Sequence, residues 1–209
     1  MASKSTYKVP ALKAGEFHRT NLVVKKSKFI TSIARTKSVE EAKAFIDRIC
    51  HEFPDARHNC FAYNADKPNT SAYVGCSDDG EPHGTAGQPM LNVLLHSDIG
   101  QLTAVVTRYF GGILLGTGGL VKAYQDSIKQ GIDTLEIEDM VITKDYSLTI
   151  DHKTVTQAQR LFASLNIQVL SQDYSAEVNY TLAIPEDHVE QFVNQMTQMT
   201  ASKALIKEL

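Results

Sequence analysis

Glycine is distributed unevenly along this chain of 209 residues, and its distribution separates two kinds of sequence. Eleven of the twelve glycines lie between Gly75 and Gly131, and none follows Gly131. Glycine permits positive φ angles and close approach of one backbone to another, so tight loops and backbone-lined sites belong to this stretch. We therefore expect any catalytic or binding site of the chain to lie between Gly75 and Gly131.

The sequence after residue 140 has the regular apolar spacing of amphipathic strands and helices. Strands are predicted at 146–151, 167–171, 177–184 and 204–209, with helices near 155–165 and 189–199. Their order, βαββαβ, is that of a ferredoxin-like unit. Since residues 138–144 look like a short polar link, we predict an α+β protein of two domains, 1–138 and 142–209.

The first domain is predicted to mix strands and helices. Strands are expected at 17–24, 28–34, 59–63, 71–76 and 101–110. Ser38 and Glu41 have the spacing of a capping box, which predicts the start of a helix of about 13 residues. Further helices are predicted from Pro89 and over 120–135.

Composition excludes several classes of protein. The chain is 43% hydrophobic and 22% charged, near globular averages, which excludes disordered, collagen-like and coiled-coil chains. We expect no membrane span and no signal peptide, because no apolar segment of the required kind is present. Cys50, Cys60 and Cys76 fit neither a disulfide framework nor a paired zinc motif. A reduced, cytoplasmic protein is the expectation.

Positive charge is concentrated at the start of the chain. Residues 1–37 carry nine Lys and Arg against one Glu, a net +8, so a total of −3 leaves −11 for the rest. Lys25, Lys26 and Lys28 cluster at the turn between two predicted strands. A basic N-terminal segment, residues 1–37, here called the basic front, followed by an acidic remainder is compatible with contact to phosphate backbones. A solvated pair of basic strands that binds nothing remains the alternative.

Arg57 and His58 immediately precede a predicted strand. A loop at that position can present a guanidinium and an imidazole together to an anion. His58 and Cys60 can share a strand face, which leaves a thiol nucleophile open. A buried Cys60 with a His58 bonded to a backbone carbonyl is the structural alternative.

The segment from Ser77 to Gly87 is an acidic loop. Asp78, Asp79, Glu81 and His83 lie within six residues, and oxygen ligands of this kind could hold a divalent cation. The spacing is not that of an EF-hand, and turn or capping duty is an equally direct use of these side chains. A polar site for a ligand or partner is the third alternative.

A strand, a glycine-rich loop and a helix follow one another between Arg108 and Lys122. This arrangement can cradle an anion through backbone N–H groups and the helix dipole, with Arg108, Gly111, Gly112 and Lys122 as candidate contacts. The P-loop and dinucleotide fingerprints both fail, because the required lysine and the third glycine are missing. Glycine here could also serve close packing alone.

These three segments are predicted to meet on one surface of the first domain. The acidic loop should then pair with Arg57 or Arg108, since arginine binds a carboxylate through two N–H groups.

Four blocks of the sequence carry a resemblance to a known family: KKSKFI at 25–30, PDARHNCFAY at 54–63, SDDGEPHGTAGQPM at 77–90 and VVTRYFGGILLGTGGLVKAYQDS at 105–127. In order and spacing they resemble the bacterial members of the IMPACT/YigZ family over essentially the whole chain. The resemblance implies an N-terminal domain similar to domain 2 of ribosomal protein S5 and a ferredoxin-like C-terminal domain similar to those of elongation factor G. Eukaryotic members, which carry a different partner domain, regulate translation through a starvation-responsive initiation-factor kinase.

Two classes of function follow. The first is a non-enzymatic, translation-associated factor that binds RNA or the ribosome, or a protein partner in translation, through its basic face. The second is an enzyme that acts on a small anionic ligand in a cleft of the first domain. No pair of residues has the spacing of a nucleophile and its base, so no catalytic residue, metal or cofactor is predicted.

Overall fold

The structure, a computed structural model, describes residues 6–68, 70 and 72–209. Its internal contacts define two compact units, Tyr7–Met140 and Val141–Leu209, the second also taking in Thr6. The expected two-domain α+β fold is confirmed. In the described part of the chain, no helix combines the length and apolarity needed to cross a membrane.

The first unit is built on a five-stranded antiparallel sheet in the order β2-β3-β6-β4-β5. Its strands are β2 (His18–Val24), β3 (Ser27–Arg35), β4 (His58–Asn64), β5 (Val74–Ser77) and β6 (Leu102–Tyr109). The prediction at 71–76 begins at a residue outside the described part. A separate two-stranded sheet pairs β1 (Thr6–Pro10) with β7 (Ile137–Val141).

Three helices cover the two faces of the five-stranded sheet: α1 (Val39–Glu52), α2 (Gly87–Leu95) and α3 (Thr117–Asp133). On β6, Ala104 and Val106 join the core under α2 and α3, whereas Val105 joins the core under α1. Both faces of β6 are therefore buried, which explains why Ala104, Val105 and Val106 are apolar in succession instead of alternating with polar residues.

Helix α1 begins at the predicted cap. The Glu41 N–H donates to Ser38 Oγ at 3.2 Å. The Glu41 carboxylate accepts from the Lys37 N–H at 2.8 Å, one residue before the position that a capping box specifies. The local sequence thus determines where the helix starts.

The polar link predicted at 138–144 is wrong, because most of it is strand. Residues Ile137–Val141 form β7, and β8 follows directly at Thr143. Four of the five β7 residues are exposed, so the alternation of apolar and polar residues that marks a half-buried strand is missing. Helix α3 also starts three residues before the predicted 120, since Gly118 and Gly119 weaken its propensity signal.

The second unit has the predicted βαββαβ order. Its elements are β8 (Thr143–Ile150), α4 (Val155–Ser164), β9 (Gln168–Tyr174), β10 (Val178–Pro185), α5 (Val189–Met199) and β11 (Leu205–Glu208). The sheet is antiparallel in the order β11-β8-β10-β9. Leu148, Phe162 and Phe192 are buried in the single core between this sheet and its two helices.

Candidate functional site

The register of the central strands brings the separate sequence blocks together. On β6, Arg108 lies directly opposite His58 of β4 on one side and Phe29 of β3 on the other. Directly paired residues on adjacent antiparallel strands have Cα atoms only about 4.5–5.5 Å apart. The block at 54–63 and the block at 105–127 thus share one end of the sheet.

Arg108 and Glu81 form a buried ion pair. Arg108 Nη1 lies 2.5 Å from Glu81 Oε1, and the two side chains are 8% and 3% exposed. Tyr124 of α3 donates its hydroxyl to the same carboxylate oxygen at 2.9 Å. The acidic loop therefore pairs with Arg108, one of the two arginines proposed for it. Arg108 is consequently an interior group rather than a surface contact.

Asp78 caps the N-terminus of α2. Its carboxylate accepts hydrogen bonds from the backbone N–H groups of Gly84, Ala86 and Gly87, at 2.8 to 3.0 Å. Burial acts to raise the pKa of Asp78, but the three N–H donors and the nearby His83 outweigh it and hold the pKa below the ordinary value. Of the three alternatives for the acidic loop, a cation site, a capping role and a ligand site, Asp78 has the capping role.

Asp79 ties the acidic loop to the start of β4. Its carboxylate accepts from the Asn59 N–H at 2.6 Å, and its carbonyl lies 2.8 Å from His58 Nδ1. His83 is fully exposed, 3.7 Å from Asp78. The described residues contain no cluster of His, Cys, Asp and Glu arranged to hold a metal ion.

Cys60 is a buried hydrogen-bond donor. Its thiol lies 2.9 Å from the Asp78 carbonyl and 3.3 Å from the Tyr124 hydroxyl. Burial raises the pKa of the Cys60 thiol strongly, so a thiolate does not form at neutral pH. Because His58 is bonded to Asp79 instead, the pair does not form a nucleophile and base.

A cavity of about 380 Å³ opens beside the ion pair. Its polar lining comes from Arg57, His58, Glu81 and Arg108. The remaining wall is formed largely by apolar side chains of the loop after β6 and by the first turn of α3. The cavity therefore lies where the three predicted segments meet.

The loop after β6 packs tightly against the turn between β2 and β3. Lys25 and Lys26 form that turn with φ angles of +45° and +66°. The Gly111 N–H donates to Ser27 Oγ at 3.1 Å, and a Cβ at Gly111 would overlap the Lys26 carbonyl. Gly111 therefore serves close packing here, which was one of the two alternatives for this glycine.

Lys25, Lys26 and Lys28, here called the basic hairpin, are exposed. Within the described ranges none of the three forms an ion pair. Two other cations of the basic front are already paired, Arg19 with Glu52 and Arg35 with Glu138. The basic surface is thus smaller than the charge count suggested.

The other candidate residues are placed less centrally. Lys122 is exposed on α3 and is not among the cavity-lining residues, and Gly112 is exposed with a φ of +83°. Sequence reasoning missed Tyr124 as a partner of Glu81. A tyrosine on the apolar side of a helix is the one available signal, since a buried hydroxyl needs a hydrogen-bond partner.

Comparison with known proteins gives the same division of the chain. Residues 25–132 match the Impact N-terminal domain, and residues 148–203 match a domain of unknown function, DUF1949.

Relatives and a solved structure match over most of their own length. An IMPACT family member of Haemophilus influenzae is 42% identical over 186 residues, 89% of this chain and 90% of the relative. The IMPACT family member YigZ of Escherichia coli is 45% identical over 169 residues, 81% of this chain and 83% of the relative. A crystal structure of a hypothetical protein superimposes with a TM-score of 0.74 at 38% identity, covering 98% of this chain and 97% of that one. The chain therefore belongs to the IMPACT family.

Proposed function

We propose that this protein is a non-enzymatic, translation-associated factor that binds RNA or the ribosome through the basic hairpin. The observation that carries the proposal is the hairpin itself. Its three lysines are exposed, close in sequence and without an ion pair to any described residue. Lysine ammonium groups act as point charges on phosphates, so such a turn favours a nucleic-acid backbone over a specific base sequence.

An exposed aromatic side chain lies next to the hairpin. Phe110 is 50% exposed and directly precedes Gly111, which is bonded to Ser27. Positive charge with an adjacent exposed aromatic ring is the combination that binds single-stranded nucleic acid, because the lysines follow the backbone while a base stacks on the ring. This geometry favours a single strand over a duplex.

The link to translation is supported by membership in the IMPACT family together with the resemblance of the domains to ribosomal and elongation-factor domains. That support comes from fold and family, so it needs its own test. Co-sedimentation with ribosomal subunits at low salt should be reduced when the basic hairpin is neutralised.

The proposal is tested by titrating single-stranded RNA at several salt concentrations. Contact with about three to five phosphates gives a log–log slope of roughly −2 to −3.5, at about 0.7 per phosphate. Replacing Lys25, Lys26 and Lys28 by alanine should flatten the slope by about 2. The matched control replaces three exposed lysines of the second unit, Lys153, Lys203 and Lys207, and should leave most of the slope in place.

Two results would reject the proposal. One is no binding to RNA or ribosomal subunits at about 50 mM salt and micromolar protein, conditions under which phosphate contacts are strong. The other is an equal loss of slope in the hairpin variant and the control. The first result would favour the alternative, an enzyme acting on a small anionic ligand, for which the cavity beside Arg108 is the supporting observation. The second would show that RNA binds exposed lysines of the chain in general rather than the hairpin.

A further inference from the structure

The cavity beside the ion pair contains hydrogen-bond donors that the protein does not use. A guanidinium has five N–H donors, and Arg108 directs one hydrogen bond, from Nη1, to Glu81. Its Nε is buried without a partner among the described residues, and the side chain is 8% exposed. An unsatisfied buried donor is unfavourable, and because Arg108 also lines the cavity, a small shift of its side chain would let an acceptor atom in the cavity satisfy it.

The first turn of α3 supplies a second set of donors. Gly116 and Thr117 line the cavity at the start of this helix of 17 residues. The N-cap is Gly116, a residue without a side chain that could cap the helix. Free backbone N–H groups and the helix dipole at this end both favour a negatively charged group.

The charges around the cavity also favour one anion. Arg108 balances Glu81 within the buried pair, which leaves the exposed Arg57 as the unbalanced cation of the lining. Arg57 lies beside His58, whose Nδ1 is already bonded to the Asp79 carbonyl. A monoanion or dianion entering the cavity therefore meets Arg57 and the helix N-terminus without displacing an existing ion pair.

The apolar part of the cavity lining is suited to a flat, weakly polar group. Phe110, Leu114 and Leu115 line it, and Phe110 and Leu114 are 50% and 82% exposed. A volume of about 380 Å³ falls at the lower end of the range of small-molecule sites, which is roughly 300–1,000 Å³. The cavity is therefore suited to a ligand of about one nucleotide.

We propose that this cavity binds a nucleoside monophosphate, with the base against Phe110 and Leu114 and the phosphate between Arg57 and the N-terminus of α3. The same chemistry is present in a free nucleotide and at the 5′-phosphorylated end of an RNA strand. The site shares Phe110 with the proposed RNA surface but includes none of the three hairpin lysines, so binding of a free nucleotide does not depend on the hairpin binding RNA.

The test is calorimetric titration of the full chain with AMP, adenosine and inorganic phosphate at one salt concentration. AMP should bind at least about tenfold more tightly than adenosine or phosphate alone, because each fragment keeps one half of the contacts. Arg57→Ala should weaken AMP binding at least about tenfold, whereas Lys43→Ala, an equal charge change at an exposed position of α1, should not. The variant with all three hairpin lysines replaced should still bind AMP.

RNA oligonucleotides with and without a 5′-phosphate then distinguish the two sources. Tighter binding of the phosphorylated strand, lost in Arg57→Ala, supports the RNA end, and AMP binding without that difference supports the free nucleotide. Absence of AMP binding combined with equal affinity for the two strands would overturn the proposal. So would AMP binding that Arg57→Ala leaves unchanged, or binding of inorganic phosphate as tight as that of AMP.

Discussion

Arg108 of β6 and Glu81 of the acidic loop meet across 2.5 Å in a position where both side chains are more than nine-tenths buried. The two residues are 27 apart in sequence, and Tyr124 of α3 binds the same carboxylate oxygen. A strand end, a loop and a helix are therefore held together by one carboxylate, and the cavity lies directly beside it.

Removing one partner of this pair should destabilise the protein strongly. Glu81→Leu or Arg108→Met leaves an unpaired buried charge, and each should lower the free energy of unfolding by about 3–5 kcal/mol. The double variant should cost clearly less than the sum of the single variants, because no charge is then left unpaired. Urea unfolding measures all three, and strict additivity would contradict the assignment.

Asp78→Asn should weaken the start of α2 and change the response to acid. Losing a charged acceptor for three N–H groups should cost about 1–3 kcal/mol at pH 7. Because the folded pKa of Asp78 is below its ordinary 3.8, its contribution is present above about pH 4 and is lost as the pH falls through the folded pKa. The difference between wild type and Asp78→Asn should therefore shrink in that acidic window.

Urea midpoints measured from pH 2 to pH 7 check this dependence. Asp173→Asn is the control, since this exposed carboxylate lies on β9 in the second unit. A gap between wild type and Asp78→Asn that stays constant over the whole range would show that the carboxylate charge does not matter.

Gly111→Ala should disturb the basic hairpin. A methyl group at this position would overlap the Lys26 carbonyl and the Ser27 nitrogen, which are backbone atoms and cannot rotate away. Overpacking of this kind typically costs about 1–3 kcal/mol, and RNA affinity should fall with it. Gly118→Ala is the control for stability, because a Cβ there meets open space and alanine favours a helix by up to about 1 kcal/mol.

Thermal unfolding and RNA titration of both glycine variants give the comparison. If the Gly111→Ala variant is as stable as the Gly118→Ala variant, the loop after β6 and the basic hairpin are not in contact.

The first unit should be more stable on its own when its last strand is retained. We propose that a fragment of residues 1–142 is stable, and that a fragment ending at 138 is less so because it lacks three of the five residues of β7. β1 then loses most of its partner in the two-stranded sheet. Urea midpoints of the two fragments check this, and identical midpoints would show that the β1–β7 pair adds nothing to stability.

Local sequence pattern was sufficient wherever one face of an element is buried. In the second unit Leu148, Phe162 and Phe192 lie at the inward positions of their own elements, so the βαββαβ order could be predicted element by element, although not the exact ends of the strands. The pair β1 and β7 could not, because β7 is largely exposed and its partner lies over 120 residues away. Pairing between exposed strands is decided by backbone hydrogen bonds, which leave little trace in side-chain type.

The candidate site also combines features that the sequence shows with features that only the fold shows. The sequence by itself determined which segments are unusual, since Asp, Gly and Arg in a loop or at a strand end have few local uses. Only the tertiary structure decided that Arg108 pairs with Glu81, that Arg19 and Arg35 are bound by Glu52 and Glu138, and that Cys60 is a buried thiol. Each depends on strand register and on burial, which are long-range properties set by packing of the whole sheet and absent from any local stretch of sequence.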